Sequence, residues 1–178
     1  MRTTSQALPA VMAAVGALSA CTPDRAPEPT PTPDPLPETE IATEDVRVLP
    51  EPQIACLART AYHEARGEGP GGMAAVVHVV LNRTAALAYP DEPCAVVNQR
   101  RGASCQFSWA CDGKSDEPQN LVAYDRALGV ARAAAAGEIG DPTDGAVMFH
   151  ARSVEPYWTK AAEKTAEIGR HVFYRLEE

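Results

Sequence analysis

The stretch TAYHEARGEG, residues 60–69, places a histidine beside the first of two glutamates that are four residues apart. His63 and Glu64 match the first half of the H-E-x-x-H motif, in which two histidines one helical turn apart bind zinc and the glutamate is the base. Gly67 occupies the position of the second histidine. The spacing excludes this zinc motif, so Glu64 becomes a candidate for the chemistry of a single carboxyl group.

Glu64 lies near the end of a predicted helix, at the border of its apolar stripe. At about 100° per residue it is about 20° from Leu57 around the helix. Partial burial at this border raises the pKa of a carboxyl group, as a general acid near neutral pH requires. The alternative is a solvated helix-end glutamate that pairs with Arg59 or Arg66. Glu68, beyond the predicted helix end, is interpreted as a solvated or positioning acid.

Three helices are predicted to surround this site. Apolar residues recur at helical spacing in 53–66, 72–87 and 117–136. Gly67 and the pair Gly69-Pro70 are predicted to end the first helix, and the second is apolar enough to be the central buried helix. The segments AVMFHA and HVFYRL, at 146–151 and 171–176, have β-like composition. The predicted fold class is therefore mainly α with a small β part.

Four cysteines lie in this part of the chain: Cys56, Cys94, Cys105 and Cys111. The last two would close a short loop, which leaves the first two to pair. Disulfides are typical of exported proteins and rare in the cytosol. A zinc site with four thiolates is the alternative, although the sequence contains no C-x2-C pair. We predict two disulfides, no metal and no cofactor.

The N-terminal segment predicts export. Residues 1–20 combine a positively charged start with an apolar run that is too short for a permanent membrane span, which is the layout of a cleaved signal. LSAC, residues 18–21, resembles the lipobox of bacterial lipoproteins, in which Cys21 becomes the lipidated first residue. The alternative is a plain secretory signal that is cut near Ala20.

Charge and proline content separate a tether from a folded domain. The formal net charge is −8, so a nucleic-acid partner, which needs a clustered basic face, is not expected. Residues 21–50 contain eight prolines and seven acidic residues and are predicted to form a lipidated, disordered tether. Residues 51–178 have the size of a single-core domain, which is expected to be monomeric.

Several segments resemble the cell wall hydrolase family that includes the spore-cortex-lytic enzymes. They are CLARTAYHEARGEGPGGMAAVVHVVLNR, YPDEPCAVV, CQFSWACDG and IGRHVFYR, which occur in the family's order across about residues 51–176. His63 replaces a residue that is often apolar or aromatic in the family. The resemblance implies that 51–178 is a lysozyme-like catalytic domain whose partner is the glycan strand of peptidoglycan.

The resemblance also implies a mechanism. Family members whose chemistry is understood resemble lytic transglycosylases, which use one glutamate to cut the β-1,4 bond between N-acetylmuramic acid and N-acetylglucosamine. The family motif places that glutamate at Glu64. Ordinary glycoside hydrolysis needs two carboxyl groups, and no second acid is convincingly placed in this sequence. When the C6 hydroxyl of the muramic acid is the nucleophile, one carboxyl group can donate a proton and then accept one.

Three segments contain residues that are candidates for substrate binding, namely Gln106, Phe107, Ser108, His150 and Tyr174. The first three lie in the loop between two cysteines and offer an amide, a stacking ring and a hydroxyl; the other two lie in the β-like segments. For each of them, the alternative is a purely structural role. His171 is a further candidate for lining the cleft, and Asn82 and Arg83 are interpreted as groups that cap or tie the second helix.

Three functions stay open at this point. The leading one is a lytic transglycosylase in the periplasm or cell envelope, anchored to the outer membrane in a bacterium with two membranes. The second is an amidase that splits the bond between muramic acid and alanine, a reaction that usually needs zinc with three protein ligands. The third is a lipoprotein that binds the wall without cleaving it, against which the intact E-A-R-G-E motif at 64–68 argues.

The lipobox interpretation predicts that Cys21→Ser releases the protein from the membrane fraction, because the lipid would be its only anchor. Fractionation of cells that express the wild type and the variant checks this. A variant that stays in the membrane fraction would contradict the lipoprotein prediction.

Overall fold

A computed structural model describes residues 48–176 of the chain. The predicted signal, Cys21 and nearly all of the predicted tether lie outside the described residues. Within 48–176, no helix combines the length and the apolar character that a membrane crossing requires.

Helices contain more of the described residues than strands do. They are α1 (Glu51–Ala65), α2 (Gly69–Ala85), the short α3 (Pro93–Val97) and α4 (Leu121–Ala135). α1 packs against α2, α3 and α4, and α2 also contacts α4. Alanines supply much of the buried surface of α1 and α4, so these helices can approach closely, and larger side chains of α2 fill the remaining space.

The three predicted helices are confirmed, with corrected boundaries. Gly69 and Pro70 do not end α1; they form the first turn of α2, which begins three residues earlier than predicted. Proline fits there because an N–H in the first turn has no helical partner in any case. α4 begins at Leu121, later than predicted, because the side chain of Asn120 caps it by accepting a hydrogen bond from the Ala123 N–H at 3.0 Å.

Two antiparallel sheets complete the domain. A small hairpin joins β1 (Arg100–Arg101) to β2 (Ser104–Cys105), and a second sheet has the strand order β3-β5-β4. Its strands are β3 (Met148–Ala151), β4 (Ala162–Ile168) and β5 (His171–Leu176). The sequence predicted β3 and β5 but missed β4, an edge strand whose residues are exposed or only partly buried and therefore show no apolar alternation.

α2 separates two apolar clusters, which explains why it is apolar on nearly all sides. One face packs with α1 and α4 through residues such as Met73, Val76 and Val80. The opposite face presents Ala75 and Val79 to the β3-β5-β4 sheet. Because a helix that is apolar all round is buried, the prediction of a central helix is confirmed.

Both predicted disulfides are present. Cys56 of α1 is bonded to Cys94 of α3, and Cys105 is bonded to Cys111. The second bond closes the loop that runs from the end of β2 through a short 3-10 helix, Ser108–Cys111. The loop with the candidate residues Gln106–Ser108 is therefore held at both ends.

Removing the Cys56–Cys94 bond is expected to lower the free energy of unfolding more than removing Cys105–Cys111. In the chain-entropy model, loss of the bond that spans 38 residues costs about 4 kcal/mol, whereas loss of the bond that spans 6 costs about 2 kcal/mol. Denaturant titration of the two double Cys→Ser variants measures both values. Equal losses, or the reverse order, would contradict this expectation.

Candidate active site

Glu64 lies in the last turn of α1, in the wall between two cavities. The first, which we call the aromatic cavity, has a volume of about 560 Å³ and includes Tyr89 and Trp158 in its lining. The second, which we call the arginine cavity, has a volume of about 440 Å³ and includes Arg152 and Arg170. Because Glu64 contributes to both linings, there is open space beside it in two cavities.

The surroundings of Glu64 favour its protonated form. Its side chain is half-buried, and this burial is the main cause of a pKa above the ordinary value. The negative charge of Glu68 also raises the pKa, whereas Trp109 and the guanidinium of Arg83 lower it. The predicted rise is therefore found in the structure, together with two groups that stabilise the carboxylate once its proton has left.

Arg83 contributes more than the structural role that the sequence suggested. It is 5% exposed, and its Nε donates a hydrogen bond to the Val147 carbonyl at 2.7 Å. Its guanidinium lies over the rings of Tyr89 and Phe107, 5.4 Å from each centroid. Arg83 ties α2 to the strand region as predicted, and it also lines the aromatic cavity beside Glu64.

Trp109 is a site residue that sequence reasoning missed. Its indole N–H is buried and makes no hydrogen bond of standard geometry with a described residue, yet it interacts with the Glu64 carboxyl and lowers the pKa. The ring stacks on His63, with centroids 4.5 Å apart and planes inclined by 17°. Nε2 of His63 is in turn 3.1 Å from the Asp116 carbonyl. The sequence did contain a signal for Trp109, because a tryptophan directly follows the Gln106–Ser108 motif.

Glu68 is buried, so its interpretation as a solvated acid is wrong. Its side chain is 3% exposed, Oε2 accepts a hydrogen bond from the Arg170 N–H at 3.0 Å, and Oε1 lies 3.2 Å from Nδ1 of His171. A Cβ at Gly169 would come within 2.0 Å of Oε2, and one at Gly72 within 2.5 Å of the Glu68 Cβ. Glu68 can reach the β4–β5 turn only because positions 72 and 169 are glycines. Its contact with this turn gives Glu68 a positioning role.

The candidates from the disulfide loop have different surroundings. Gln106 is half-buried and Ser108 is exposed, and both line the aromatic cavity. Phe107 is only 2% exposed and belongs to the helical core, although part of it reaches the same cavity. A ring buried to this degree has no free face, which argues against stacking of Phe107 on a sugar.

His150 and Tyr174 contact each other rather than the space around Glu64. Nε2 of His150 is 3.1 Å from the Tyr174 hydroxyl, and Tyr174 is 8% exposed. Among the described residues, these two are absent from the linings of both cavities that contain Glu64. Both rings contact the half-buried Trp158 edge to face, so they support a residue that does line the aromatic cavity.

The other polar candidates are also placed. His171 is buried and lines the arginine cavity. Asn82 donates hydrogen bonds to Asp141 at 2.9 Å and to the Ala146 carbonyl at 3.0 Å, which ties the end of α2 to the segment before β3. Within residues 48–176, no three His, Cys, Asp or Glu side chains are grouped closely enough to hold a metal ion.

A comparison with protein families matches residues 67–174 to the cell wall hydrolase family. The chain belongs to this family. The match begins three residues after Glu64 and includes the Gln106–Ser108 loop, strands β3 and β4, and β5 as far as Tyr174. The family resemblance of the sequence is thus confirmed, whereas the role of Glu64 is supported by its own geometry.

Individual relatives agree with the family assignment. The chain is 27% identical over 121 residues to a spore cortex-lytic enzyme of Bacillus cereus and 30% identical over 121 residues to one of Oceanobacillus iheyensis. Both matches cover 67% of this chain but only 43% and 40% of the relatives. The chain therefore spans less than half of the length of these curated relatives.

Two solved structures have the same fold. One is the catalytic domain of the germination-specific lytic transglycosylase SleB from Bacillus anthracis; it is 25% identical, with a TM-score of 0.57 over 72% of this chain and 98% of that domain. The other, the catalytic domain of the Bacillus cereus SleB protein, gives the same identity and TM-score over 94% of that domain. The predicted lysozyme-like α+β fold is confirmed.

We expect Glu64→Gln to stabilise the domain at neutral pH. Because burial raises the pKa of Glu64 above its ordinary value of 4.5, the wild type loses stability as the pH rises from the unfolded-state pKa through the folded-state pKa. Glutamine has no such penalty. The stability advantage of the variant should therefore grow between about pH 3.5 and about pH 7.5.

Denaturant midpoints at the two pH values measure this difference. Glu155→Gln, which replaces an exposed glutamate, is the matched control and should show no comparable growth. A difference between Glu64→Gln and the wild type that is the same at both pH values would contradict the expected pKa shift.

Proposed function

We propose that this domain cleaves the glycan strands of peptidoglycan as a lytic transglycosylase, with Glu64 as its single acid and base. The observation that carries the proposal is the position of Glu64, a half-buried carboxyl group with a raised pKa between two cavities. The relatives support it: one solved structure of the same fold is described as a lytic transglycosylase. The substrate places the protein in the cell envelope.

In the first step, protonated Glu64 donates its proton to the glycosidic oxygen between muramic acid and N-acetylglucosamine. The carbon–oxygen bond to the leaving sugar breaks, and positive charge develops on the muramic acid ring. The Glu64 carboxylate formed in this step is stabilised by the neighbouring guanidinium of Arg83 and by Trp109. Groups that are already in place for the new charge need no reorganisation during the reaction.

In the second step, the Glu64 carboxylate accepts the proton of the C6 hydroxyl of the same muramic acid. The hydroxyl oxygen bonds to C1, which gives a 1,6-anhydro end and returns Glu64 to its protonated form. This route needs no second carboxylate, unlike ordinary hydrolysis. It suits the site, because both oxygens of the nearby Glu68 already face the β4–β5 turn.

The remaining binding roles follow the cavity linings. We assign the exposed Ser108 and the half-buried Gln106 to hydrogen bonds with sugar hydroxyl or acetamido groups, and the half-buried Trp158 to stacking against a sugar ring. His150 and Tyr174 would act through Trp158. A lipid on Cys21 and a tether over 21–50 would hold the domain at a membrane and let it reach the wall.

Digestion of purified peptidoglycan tests the proposal directly. The wild type is expected to release fragments with 1,6-anhydromuramic ends. Mass spectrometry distinguishes these fragments, because each is lighter by one water than the corresponding fragment with a reducing end. Glu64→Gln keeps the shape of the side chain but cannot transfer a proton. We expect its turnover to fall by at least about a hundredfold, the low end for general acid–base catalysis.

Glu68→Gln is the matched variant, because it changes the same atoms four residues away. We expect a much smaller loss, since the amide can still accept the hydrogen bond of the Arg170 N–H. Reducing ends would indicate a hydrolase, and free stem peptides an amidase. A Glu64→Gln variant that keeps most activity while Glu68→Gln loses it would reverse the assignment of the two acids.

A further inference from the structure

The two cavities beside Glu64 differ in the groups that they offer to a substrate. The aromatic cavity has apolar and aromatic side chains such as Tyr89, Met148 and Trp158 in its wall, which suit sugar rings. The arginine cavity has Arg152, Arg170 and Glu68 in its lining. The first step requires protonated Glu64. The arginine and carboxylate groups that then remain in the lining of the arginine cavity are the two guanidiniums of Arg152 and Arg170 and the carboxylate of Glu68.

Arg170 has a guanidinium that is oriented and yet open to solvent. Its Nε lies 3.5 Å from Oε1 of Glu68, while the side chain is 76% exposed. A Cβ at Gly67 would lie 3.6 Å from Nη2, so the guanidinium lies above the backbone just beyond the end of α1. The buried carboxylate directs one edge of Arg170, the side chain stays largely open to solvent, and Arg170 lines the same cavity as Glu64.

Arg152 is also held in place by contacts with residues of β4 and of the β4–β5 turn. Its Nη1 donates a hydrogen bond to the Gly169 carbonyl at 3.3 Å, and its Nη2 pairs with Glu167. The backbone N–H of Arg152 also donates to the Arg170 carbonyl at 2.8 Å. These contacts connect the two arginines through the turn that Glu68 holds, so their relative position is defined.

We propose that the arginine cavity binds a carboxylate of the peptide stem on the muramic acid whose glycosidic bond is cut, with Arg170 as the principal contact. The inference rests on the proposed function, because it takes the glycan strand as the substrate. The sugars of the strand are uncharged once the lactyl group of muramic acid is joined to a stem, whereas stems carry free carboxylates. A guanidinium recognises a carboxylate by paired, charge-assisted hydrogen bonds, so the enzyme would prefer strands whose stems carry free carboxylates.

The test compares two substrates that differ only in the charge of their stems. Uncrosslinked glycan strands are used intact, or after carbodiimide coupling in excess ammonia has converted their stem carboxylates to amides, and kcat/KM is measured from the formation of anhydro ends. The wild type should prefer the strands with free stem carboxylates. Arg170→Gln should lower kcat/KM for these strands by about tenfold and should change the value for amidated strands by less than about twofold.

Two comparisons make the result specific. Arg126→Gln, which removes an exposed arginine of α4, should leave both values unchanged, so a general effect of charge is controlled. Arg170→Gln should also melt at the wild-type temperature, because its side chain is largely exposed. An equal fall on both substrates, or no fall on strands with free stem carboxylates, would overturn the proposal. Wild-type protein that makes no anhydro ends from either substrate would instead reject the proposed function, and this proposal with it.

Discussion

The buried carboxylate of Glu68 joins the helices of the domain to its sheet, and the geometry of the site depends on this contact. Burying a carboxylate is costly unless hydrogen bonds replace its water. Oε2 of Glu68 accepts one from the backbone N–H of Arg170, while Oε1 lies 3.2 Å from Nδ1 of His171 and 3.5 Å from Nε of Arg170. Gly72 and Gly169 give it the necessary space. The β4–β5 turn is thereby held against the end of α1, where it becomes the second wall around Glu64.

The central helix α2 supplies the rigid support for the other wall. Because it is buried against helices on one face and strands on the other, its last turn can carry Arg83 into the interior. The hydrogen bond to Val147 and two aromatic rings hold the guanidinium there. A group held by rigid elements stabilises charge more effectively than one that must first be ordered. The helix thus connects core packing to the electrostatics of Glu64.

The proposed mechanism requires the Glu64 carboxyl group both to donate and to accept a proton, which needs balanced surroundings. Burial alone would favour the protonated form of Glu64 and hinder release of the proton, whereas a strongly cationic site would hold the carboxylate. Here burial and Glu68 act in one direction, and Trp109 and Arg83 act in the other. A pKa moved towards the working pH is the condition under which one group can act as acid and base in turn. The disulfide loop contributes by holding Trp109 in place.

The sequence by itself determined the three main helices, strands β3 and β5, the pairing of the cysteines, the family and the candidacy of Glu64. These follow from apolar periodicity, short loop closure and contiguous motifs, all of which are local. Only the tertiary structure decided the burial of Glu68 and Phe107, the role of Trp109 beside Glu64, and the existence of β4. The reason is physical: burial and neighbourhood come from contacts between distant segments, such as the bond between Glu68 and Arg170, which are 102 residues apart. No local pattern encodes such a contact.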